Sequence, residues 1–311
     1  MTKISIIGAG FVGQIVGETL AREQVGSEVI LFDIIQGRPQ GLGLDIKQSN
    51  SITLSDTNIY GSNEYAGHLN NSDVVVVTAG FPRKPGMDRM DLLKKNFEVN
   101  KDVMTNIKKY SPNAVVIYVA NPVDVMTYAA WKLSGFAPNK VFGMAGVLDT
   151  ARFKAFVSQE AKVSVKDIQA MVLGGHGDAM VPIISYATIG GVPITHFLSK
   201  EKINAIVERT KTGGGEIVKL LQSGSAYFAP GMATAQMVKS VIYNERRILP
   251  VVALVDNKYG FNDIYAGVPA IIGKNGVEEV LELKLTPDET EAMQKSLTGV
   301  KKGIDEVKTL L

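Results

Sequence analysis

A histidine flanked by glycines is the clearest sign of chemistry in this 311-residue chain. His176 lies in the pentapeptide Gly-Gly-His-Gly-Asp at positions 174–178, and an unperturbed pKa near neutrality suits histidine to general acid and base catalysis. The glycines allow a sharp bend and a close approach of the backbone to a ligand. An ordinary glycine turn would explain the pentapeptide equally well, so its meaning depends on residues elsewhere. His68 and His196 have no suggestive neighbours and are expected to be surface or structural residues.

A carboxylate and a guanidinium near the start of a predicted helix could work with this histidine. Asp149 and Arg152 lie in a helical pattern that covers residues 148–156, and three positions apart they share one helix face. A simple ion pair between them is one interpretation. In the other, both point into a cleft, the carboxylate toward a histidine and the guanidinium toward a substrate carboxylate.

Residues 81–89 form a basic loop. Two prolines and a glycine indicate a loop, and Arg83, Lys84 and Arg89 give it positive charge. Such charges are common on solvated loops. However, this loop follows the carboxyl end of a predicted central strand, where it could close over an anionic substrate and exclude water.

The N-terminal segment predicts a dinucleotide-binding unit. An apolar strand at residues 4–7 leads into the sequence Gly-Ala-Gly-Phe-Val-Gly at 8–13, and a helical pattern follows at 14–23. A second strand at 29–32 ends at Asp33, which follows Gly13 by 20 residues, the separation expected for a carboxylate that binds the adenosine ribose. The glycines would permit the tight turn (Gly8), the approach of pyrophosphate (Gly10) and close helix packing (Gly13). Asp33 would repel a 2′-phosphate and so favours NAD over NADP.

A parallel sheet should continue from this unit. Four consecutive valines at 74–77 and a second apolar run at 115–119 suit strands that are covered on both faces. Ligands of open α/β sheets bind at the carboxyl ends of the strands. We therefore expect Gly8, Asp33, Gly80 and Asn121 to line one crevice.

The second half predicts a further α/β unit, so the expected domains are residues 1–145 and 146–311. A strand at 171–173 would deliver the chain to His176. Residues 268–272 and 277–285, joined by Gly-Lys-Asn-Gly, indicate a hairpin. Apolar residues at alternating spacings of four and three, from Met293 to Leu311, predict an amphipathic helix that packs on a core or on another subunit.

Composition argues against several classes of protein. A net charge of +2 gives no electrostatic case for nucleic acid or a membrane surface as partner. The absence of cysteine excludes disulfides and thiolate metal sites, fits a reducing cytoplasm, and leaves no metal site predicted. No apolar run approaches the ~20 residues of a membrane span. A strand-like segment that begins at Lys3 leaves no room for a removable leader.

Together these segments resemble the lactate/malate dehydrogenase superfamily, and within it the lactate-dehydrogenase-like malate dehydrogenases. The resemblance covers nearly the whole chain and rests on the order and spacing of residues 8–13, 78–80, 83–89, 121–124, 148–153 and 174–178. One departure is visible, because family members often carry glutamate where this chain has Gly175. The resemblance implies an N-terminal Rossmann domain with a doubly wound parallel sheet and a C-terminal α/β (α+β) substrate domain. The implied reaction is the reversible NAD-dependent oxidation of (S)-malate to oxaloacetate.

The resemblance also assigns catalytic and substrate-binding roles. His176 is the general base in malate oxidation, and Asp149 is the buried carboxylate that orients its ring. Arg152 binds the C1 carboxylate with a bidentate fork, and Arg89 polarises the ketone oxygen. Asn121 hydrogen-bonds the substrate oxygen near the nicotinamide ribose.

Substrate choice and cofactor contacts are assigned in the same way. Arg83 would bind the second carboxylate of oxaloacetate, because lactate dehydrogenases usually carry glutamine before Lys-Pro-Gly. The cofactor residues implied are Gly8, Gly10, Phe11, Val12, Gly13, Asp33, Asn96, Val119 and Asn121. Members of this subtype are mostly homotetramers, with dimers also known, and a cytoplasmic enzyme of the tricarboxylic acid cycle is expected.

Three alternatives stay open at this point. An L-lactate dehydrogenase, or another 2-hydroxy acid dehydrogenase, would share everything except the role of Arg83. NAD-dependent glycosidases use a similar fold but need a metal held by cysteine and histidine, which the lack of cysteine disfavours. A dinucleotide-binding sensor would explain residues 8–33 but not His176, Asp149 and Arg152.

Overall fold

The structure, a computed structural model, describes residues 2–81 and 89–311, without the side chain of Arg89. Its N-terminal half contains six parallel strands in the spatial order β3-β2-β1-β4-β5-β6. The strands are β1 (Lys3–Ile7), β2 (Glu28–Phe32), β3 (Asn58–Ser62), β4 (Val74–Val77), β5 (Val115–Tyr118) and β6 (Val141–Gly143). Strand order reverses between β1 and β4, which opens a crevice at their carboxyl ends. The predicted Rossmann sheet is confirmed.

Three antiparallel strands extend this sheet to nine. They are β12 (Arg247–Val255), β13 (Ile264–Gly273) and β14 (Gly276–Val280), and β12 joins the edge of β6 through the pair Val252–Gly143. The predicted hairpin is therefore present, and it continues the N-terminal sheet. Its second strand ends at Val280 and not at residue 285, because the backbone N–H of Leu283 donates to the Tyr259 hydroxyl instead of a neighbouring strand.

Two small sheets carry the rest of the C-terminal half. One contains β7 (Ile168–Gln169), β10 (Thr188–Ile189) and β11 (Val192–Pro193), and the other pairs β8 (Val172–Leu173) with β9 (Val181–Pro182). Short 3-10 turns lie at Pro138–Lys140, Val165–Asp167, Ile184–Tyr186 and Ile194–His196. The strand predicted before His176 is thus β8, which leads directly into the glycine pentapeptide.

Eight α-helices surround the strands in the described part of the chain. They are α1 (Phe11–Arg22), α2 (Arg38–Thr53), α3 (Arg89–Tyr110), α4 (Val123–Ser134), α5 (Gly146–Ala161), α6 (Lys200–Leu221), α7 (Phe228–Ile242) and α8 (Pro287–Lys308). Helix α1 packs with α2 and α7, and α4 packs with α3 and α8. Every residue of β4 and β5 is buried, as expected for strands covered on both faces. None of the described helices combines the length and apolar character that crossing a membrane requires.

Two helices differ from their predicted limits for local reasons. Helix α1 begins at Phe11 and not at residue 14, since the backbone N–H of Gln14 already donates to the Gly10 carbonyl at 2.9 Å. The last residues of the glycine loop thus form the first helical turn. Helix α8 begins at Pro287, where Thr286 and Glu289 form a capping box. Its apolar stripe from Met293 to Val307 is buried in the core of the chain, whereas Leu311 is exposed.

Candidate active site

The glycine loop after β1 has the shape that a dinucleotide requires. Gly8 has φ +106° and lies so close to Thr78 and Ala79 that a Cβ would be 2.6 Å from the Ala79 nitrogen. A Cβ on Gly13 would overlap the carbonyl oxygen of Gly8. Only glycine at this position therefore allows helix α1 to pack closely on the strand. A Cβ on Gly10 would meet no heavy atom within 4 Å. Open space at Gly10, at the N-terminus of α1, fits a bound pyrophosphate.

The carboxylate of Asp33 is fixed beside this loop. One oxygen accepts from the backbone N–H of Ala9 at 2.9 Å and the other from that of Ile35 at 3.0 Å. Sequence analysis missed Arg38, whose Nε donates to the Ala9 carbonyl at 3.0 Å. The end of β2 thus brings a half-buried carboxylate to the site expected for the adenosine ribose, with a cation nearby.

Asn96 is buried between the segments that follow β4 and β5. Its Oδ1 accepts from the Phe81 N–H at 2.7 Å, and its Nδ2 donates to the carbonyls of Phe81 (3.2 Å) and Asn121 (2.8 Å). Only 1% of the residue is exposed. Asn96 therefore ties the segment after β4 to the segment after β5, and its contact with NAD stays a prediction.

The remaining predicted cofactor residues lie along the crevice. Asn121 is exposed at the end of β5, and Val119 is largely buried just before it. In the first turn of α1, Val12 is half-buried and the exposed ring of Phe11 stacks on Tyr227 at 5.2 Å between ring centres. Their contacts with NAD stay predictions.

A single buried carboxylate joins the predicted catalytic and substrate-binding residues of the C-terminal half. Asp149 is 2% exposed; its Oδ2 lies 2.9 Å from Nδ1 of His176, and its Oδ1 accepts from Nη1 of Arg152 at 3.1 Å. The ion pair is therefore present and its carboxylate also contacts the histidine, whereas the contact of Arg152 with a substrate carboxylate stays a prediction. A carboxylate at Nδ1 favours the tautomer whose Nε2 is free to accept a proton.

Three anchors hold the histidine loop in this position. Gly174, with φ +81°, exchanges two backbone hydrogen bonds with Gly267 of β13 at 2.8 and 3.0 Å. The N–H of Gly175 donates to the Ser296 hydroxyl of α8 at 2.8 Å, and the N–H of His176 donates to Oδ2 of Asp124 at 3.0 Å. The loop therefore depends on the main sheet and on two helices that are distant in sequence.

The environment of His176 favours its protonated form. Burial lowers the pKa of the imidazole, but the negative charge and hydrogen bond of Asp149, together with the charge of Asp124, raise it. Arg152 opposes them, and the net result is a pKa above the ordinary value of histidine. The imidazolium is thus more readily formed than that of an ordinary histidine.

Arg152 is held against two glycines of helix α6 that sequence analysis did not single out. A Cβ on Gly213 would lie 3.5 Å from Cδ of Arg152, and one on Gly214 would lie 3.4 Å from its Nη2. The Nε atom of Arg152 is buried and has no partner within the described part of the chain. Three consecutive glycines at 213–215, inside an otherwise helical pattern, were the signal available in the sequence.

Two of the predicted substrate-binding cations belong to the segment for which the sequence predicts a basic loop. Arg83 lies outside the described residues, and Arg89 begins α3 with its side chain also outside them. Their roles stay predictions. Across the residues that are described, no three histidine, aspartate or glutamate side chains are grouped as a metal site would need.

Comparison with known proteins identifies the family and the fold. Residues 2–143 match the family described as lactate/malate dehydrogenase, NAD binding domain, and residues 146–311 match its alpha/beta C-terminal domain. The chain belongs to the lactate/malate dehydrogenase family. Its glycine loop and Asp33 therefore lie in an NAD-binding domain, and the histidine loop lies in the second family domain.

Individual members of the family match along their whole length. A malate dehydrogenase of Roseiflexus castenholzii is 51% identical over 308 residues, which covers 99% of each chain. The structure of malate dehydrogenase from Salinibacter ruber matches with a TM-score of 0.95 and 45% identity, covering 99% of this chain and 98% of that one. A lactate dehydrogenase of Cryptosporidium parvum, solved with lactic acid and NAD, has the same TM-score at 41% identity and covers 99% and 98%.

We expect Gly10→Ala to weaken NADH binding without unfolding the protein. Its methyl group meets no protein atom but occupies the space next to the pyrophosphate. The dissociation constant of NADH should therefore rise about tenfold or more, a loss of at least ~1.4 kcal/mol of binding free energy. Gly13→Ala is the contrasting variant, because overlap with the Gly8 carbonyl should destabilise the fold by about 1–3 kcal/mol. NADH fluorescence titration and thermal unfolding separate the two effects. Unchanged NADH affinity in Gly10→Ala would contradict the assignment.

A pair of glycine variants in α6 tests the position of Arg152. Alanine is favoured over glycine in helices by roughly 0.5–1 kcal/mol, so Gly214→Ala and Gly215→Ala should both raise the melting temperature. Gly215 is exposed with nothing within 4 Å of its Cβ position, so catalysis should not change. In Gly214→Ala the methyl group restricts the guanidinium of Arg152, and KM for the carboxylate substrate should rise several-fold, up to about tenfold. Equal KM values in steady-state assays of both variants would refute this role of α6.

Proposed function

We propose that this protein interconverts (S)-malate and oxaloacetate with NAD. The observation that carries the proposal is the contact of Asp149 with both His176 and Arg152, beside the crevice of an NAD-binding domain. This arrangement combines a proton carrier with a cation for a substrate carboxylate. Curated relatives about half identical over the full chain, from Roseiflexus castenholzii and Methanosarcina mazei, are named malate dehydrogenase.

In the proposed mechanism His176 moves the proton. When bound, NAD supplies the hydride acceptor at its nicotinamide ring. In malate oxidation Nε2 of His176 takes the proton of the C2 hydroxyl, and the adjacent Asp149 carboxylate stabilises the imidazolium. In the reverse direction the imidazolium returns that proton to the ketone oxygen. Arg152 holds the C1 carboxylate, and Asn121 and Arg89 bind the oxygen on which negative charge develops.

The proposed division of the chain is residues 1–145 for NAD and 146–311 for the substrate. Backbone groups of the glycine loop hold the pyrophosphate, and Asp33 binds the adenosine ribose hydroxyls. The residues of the proposed NAD site are Gly8, Gly10, Phe11, Val12, Gly13, Asp33, Asn96, Val119 and Asn121.

Arg83 distinguishes malate from lactate as the substrate. The fold does not distinguish the two substrates, because solved lactate and malate dehydrogenases both match with a TM-score of 0.95. Oxaloacetate carries a carboxylate where pyruvate has a methyl group, and a closed pocket would leave Arg83 unpaired with pyruvate. Leaving one member of a buried charge pair alone costs about 2–5 kcal/mol. This is roughly a 30-fold to several-thousand-fold preference for oxaloacetate.

We further propose a cytoplasmic homotetramer that serves the tricarboxylic acid cycle. The lack of cysteine suits a reducing compartment, which cell fractionation would test. Large apolar side chains are exposed on or just after α2 (Ile52 and Leu54) and on α7 (Phe228 and Met232), as expected for surfaces that meet other subunits. Light scattering should give four times the chain mass of 33.5 kDa, and a monomer mass would refute the assembly.

The first test is NADH consumption with oxaloacetate and with pyruvate. We expect a strong preference for oxaloacetate, and Arg83→Gln should reduce kcat/KM for oxaloacetate by at least about 30-fold while pyruvate gains relative to it. Lys84→Gln is the matched control, because it removes the neighbouring charge and should leave the preference unchanged. Preference for pyruvate in the parent enzyme would leave the family and the role of His176 intact but would exclude malate as the substrate.

A further inference from the structure

A second carboxylate contacts the histidine loop from the N-terminal half of the chain. Asp124 lies in the first turn of α4 and is 6% exposed. Its Oδ2 accepts the backbone N–H of His176 at 3.0 Å, whereas its Oδ1 is buried without a hydrogen-bond partner among the described residues. Asp149 contacts the imidazole ring, so the two carboxylates hold different parts of the same residue.

Few charged groups surround Asp124. Within the described chain, His176 faces it from the loop, and Asp149 and Arg152 lie nearby on α5. Helix α8 contributes the neutral hydroxyl of Ser296, which holds Gly175. The side chain of Asp178, on the same loop, is exposed. Among the described residues no arginine or lysine forms an ion pair with Asp124, so the protonated form of His176 is the cation that its charge stabilises most directly.

The missing side chain at position 175 contributes to this arrangement. A Cβ on Gly175 would lie 4.0 Å from Oδ2 of Asp124 and only 2.6 Å from Cγ2 of Val300. Glycine thus allows the loop to pack between α4 and α8, with its N–H groups on Asp124 and Ser296. Position 175 therefore directly adjoins the buried carboxylate.

A buried carboxylate with one hydrogen bond is a poor structural anchor. A neutral amide could accept the same N–H without the penalty of burying charge. Burial raises the pKa of Asp124 to about 6, although the N–H and the charge of His176 lower it. Asp124 thus changes charge in the pH range in which histidine also titrates.

We propose that Asp124 is a positioning residue for the reaction, which holds the backbone of His176 and supplies a second negative charge that favours the imidazolium. This inference rests on the proposed function of His176 as the acid and base. Above its own pKa, ionised Asp124 raises the pKa of His176; below it, protonated Asp124 no longer does. The two groups therefore titrate as a coupled pair, and ionised Asp124 keeps His176 protonated, as oxaloacetate reduction requires, to higher pH.

The test is an NMR titration of the imidazole resonances, which only three histidines produce. His176→Asn identifies the resonance of His176. Asp124→Asn keeps an oxygen that can accept the His176 N–H but removes the charge, so the pKa of His176 should fall by about one unit. The alkaline limit of kcat/KM for oxaloacetate should move to lower pH by the same amount.

Ser296→Ala is the matched control, since it removes the neighbouring loop anchor without a change of charge. It should leave the pKa of His176 where it is in the parent protein. An unchanged pKa of His176 in Asp124→Asn, or an equal shift in both variants, would overturn the proposal.

If Asp124→Asn does not fold, the parent protein decides the question. The His176 titration should then show a second inflection near pH 6, where Asp124 ionises. A single simple titration would overturn the proposal. Because the NMR experiment needs no substrate, a shifted pKa in a protein that does not reduce oxaloacetate would refute the proposed function but not the coupling.

Discussion

The site depends on one buried carboxylate that has two cationic partners. Asp149 is almost inaccessible to water, and a buried carboxylate left without its partners is an uncompensated charge, which typically destabilises by about 3–5 kcal/mol. The position of Asp149 therefore determines where His176 and Arg152 can lie. One oxygen of this carboxylate contacts the proposed proton carrier and the other contacts the proposed substrate-binding cation, so the two groups share a single anchor on α5.

Bringing these groups together requires the whole sheet. The histidine loop hydrogen-bonds β13 through Gly174 and Gly267, and β13 belongs to the same nine-stranded sheet as the NAD-binding strands. The loop is also tied to α4 by Asp124, and α4 begins directly after Asn121 and Pro122 on the crevice. Continuous hydrogen bonding thus joins the glycine-loop strands to the histidine, so that the glycine loop and His176 are fixed relative to one sheet.

The sequence predicted the parts of this frame that depend on short-range patterns. The spacing from Gly13 to Asp33 and the buried valine runs determine the Rossmann sheet, because each is a property of a few adjacent residues. Long-range contacts were not predictable in the same way. Asp124 lies at the start of an apolar helix, and Gly214 lies inside another helix. Only the fold shows that Asp124 contacts His176 and that Gly214 lies against Arg152. The burial of Asn96 likewise depends on Phe81 and Asn121, which lie 15 and 25 positions away.

Several features of the site lower the free energy of unfolding. The fold tolerates them because its main hydrophobic core is large and continuous. Glycines at 213–215 weaken the middle of α6, Gly174 occupies a backbone conformation that side chains disfavour, and two carboxylates are buried within one cluster. One hydrophobic core extends from Ile4 in β1 to Val307 in α8, across both halves of the chain. Packing on this core holds α4, α5 and α8 in place, and these helices in turn hold Asp124, Asp149 and Ser296 around the loop. The unfavourable groups persist because their positions are set by elements that cannot move independently.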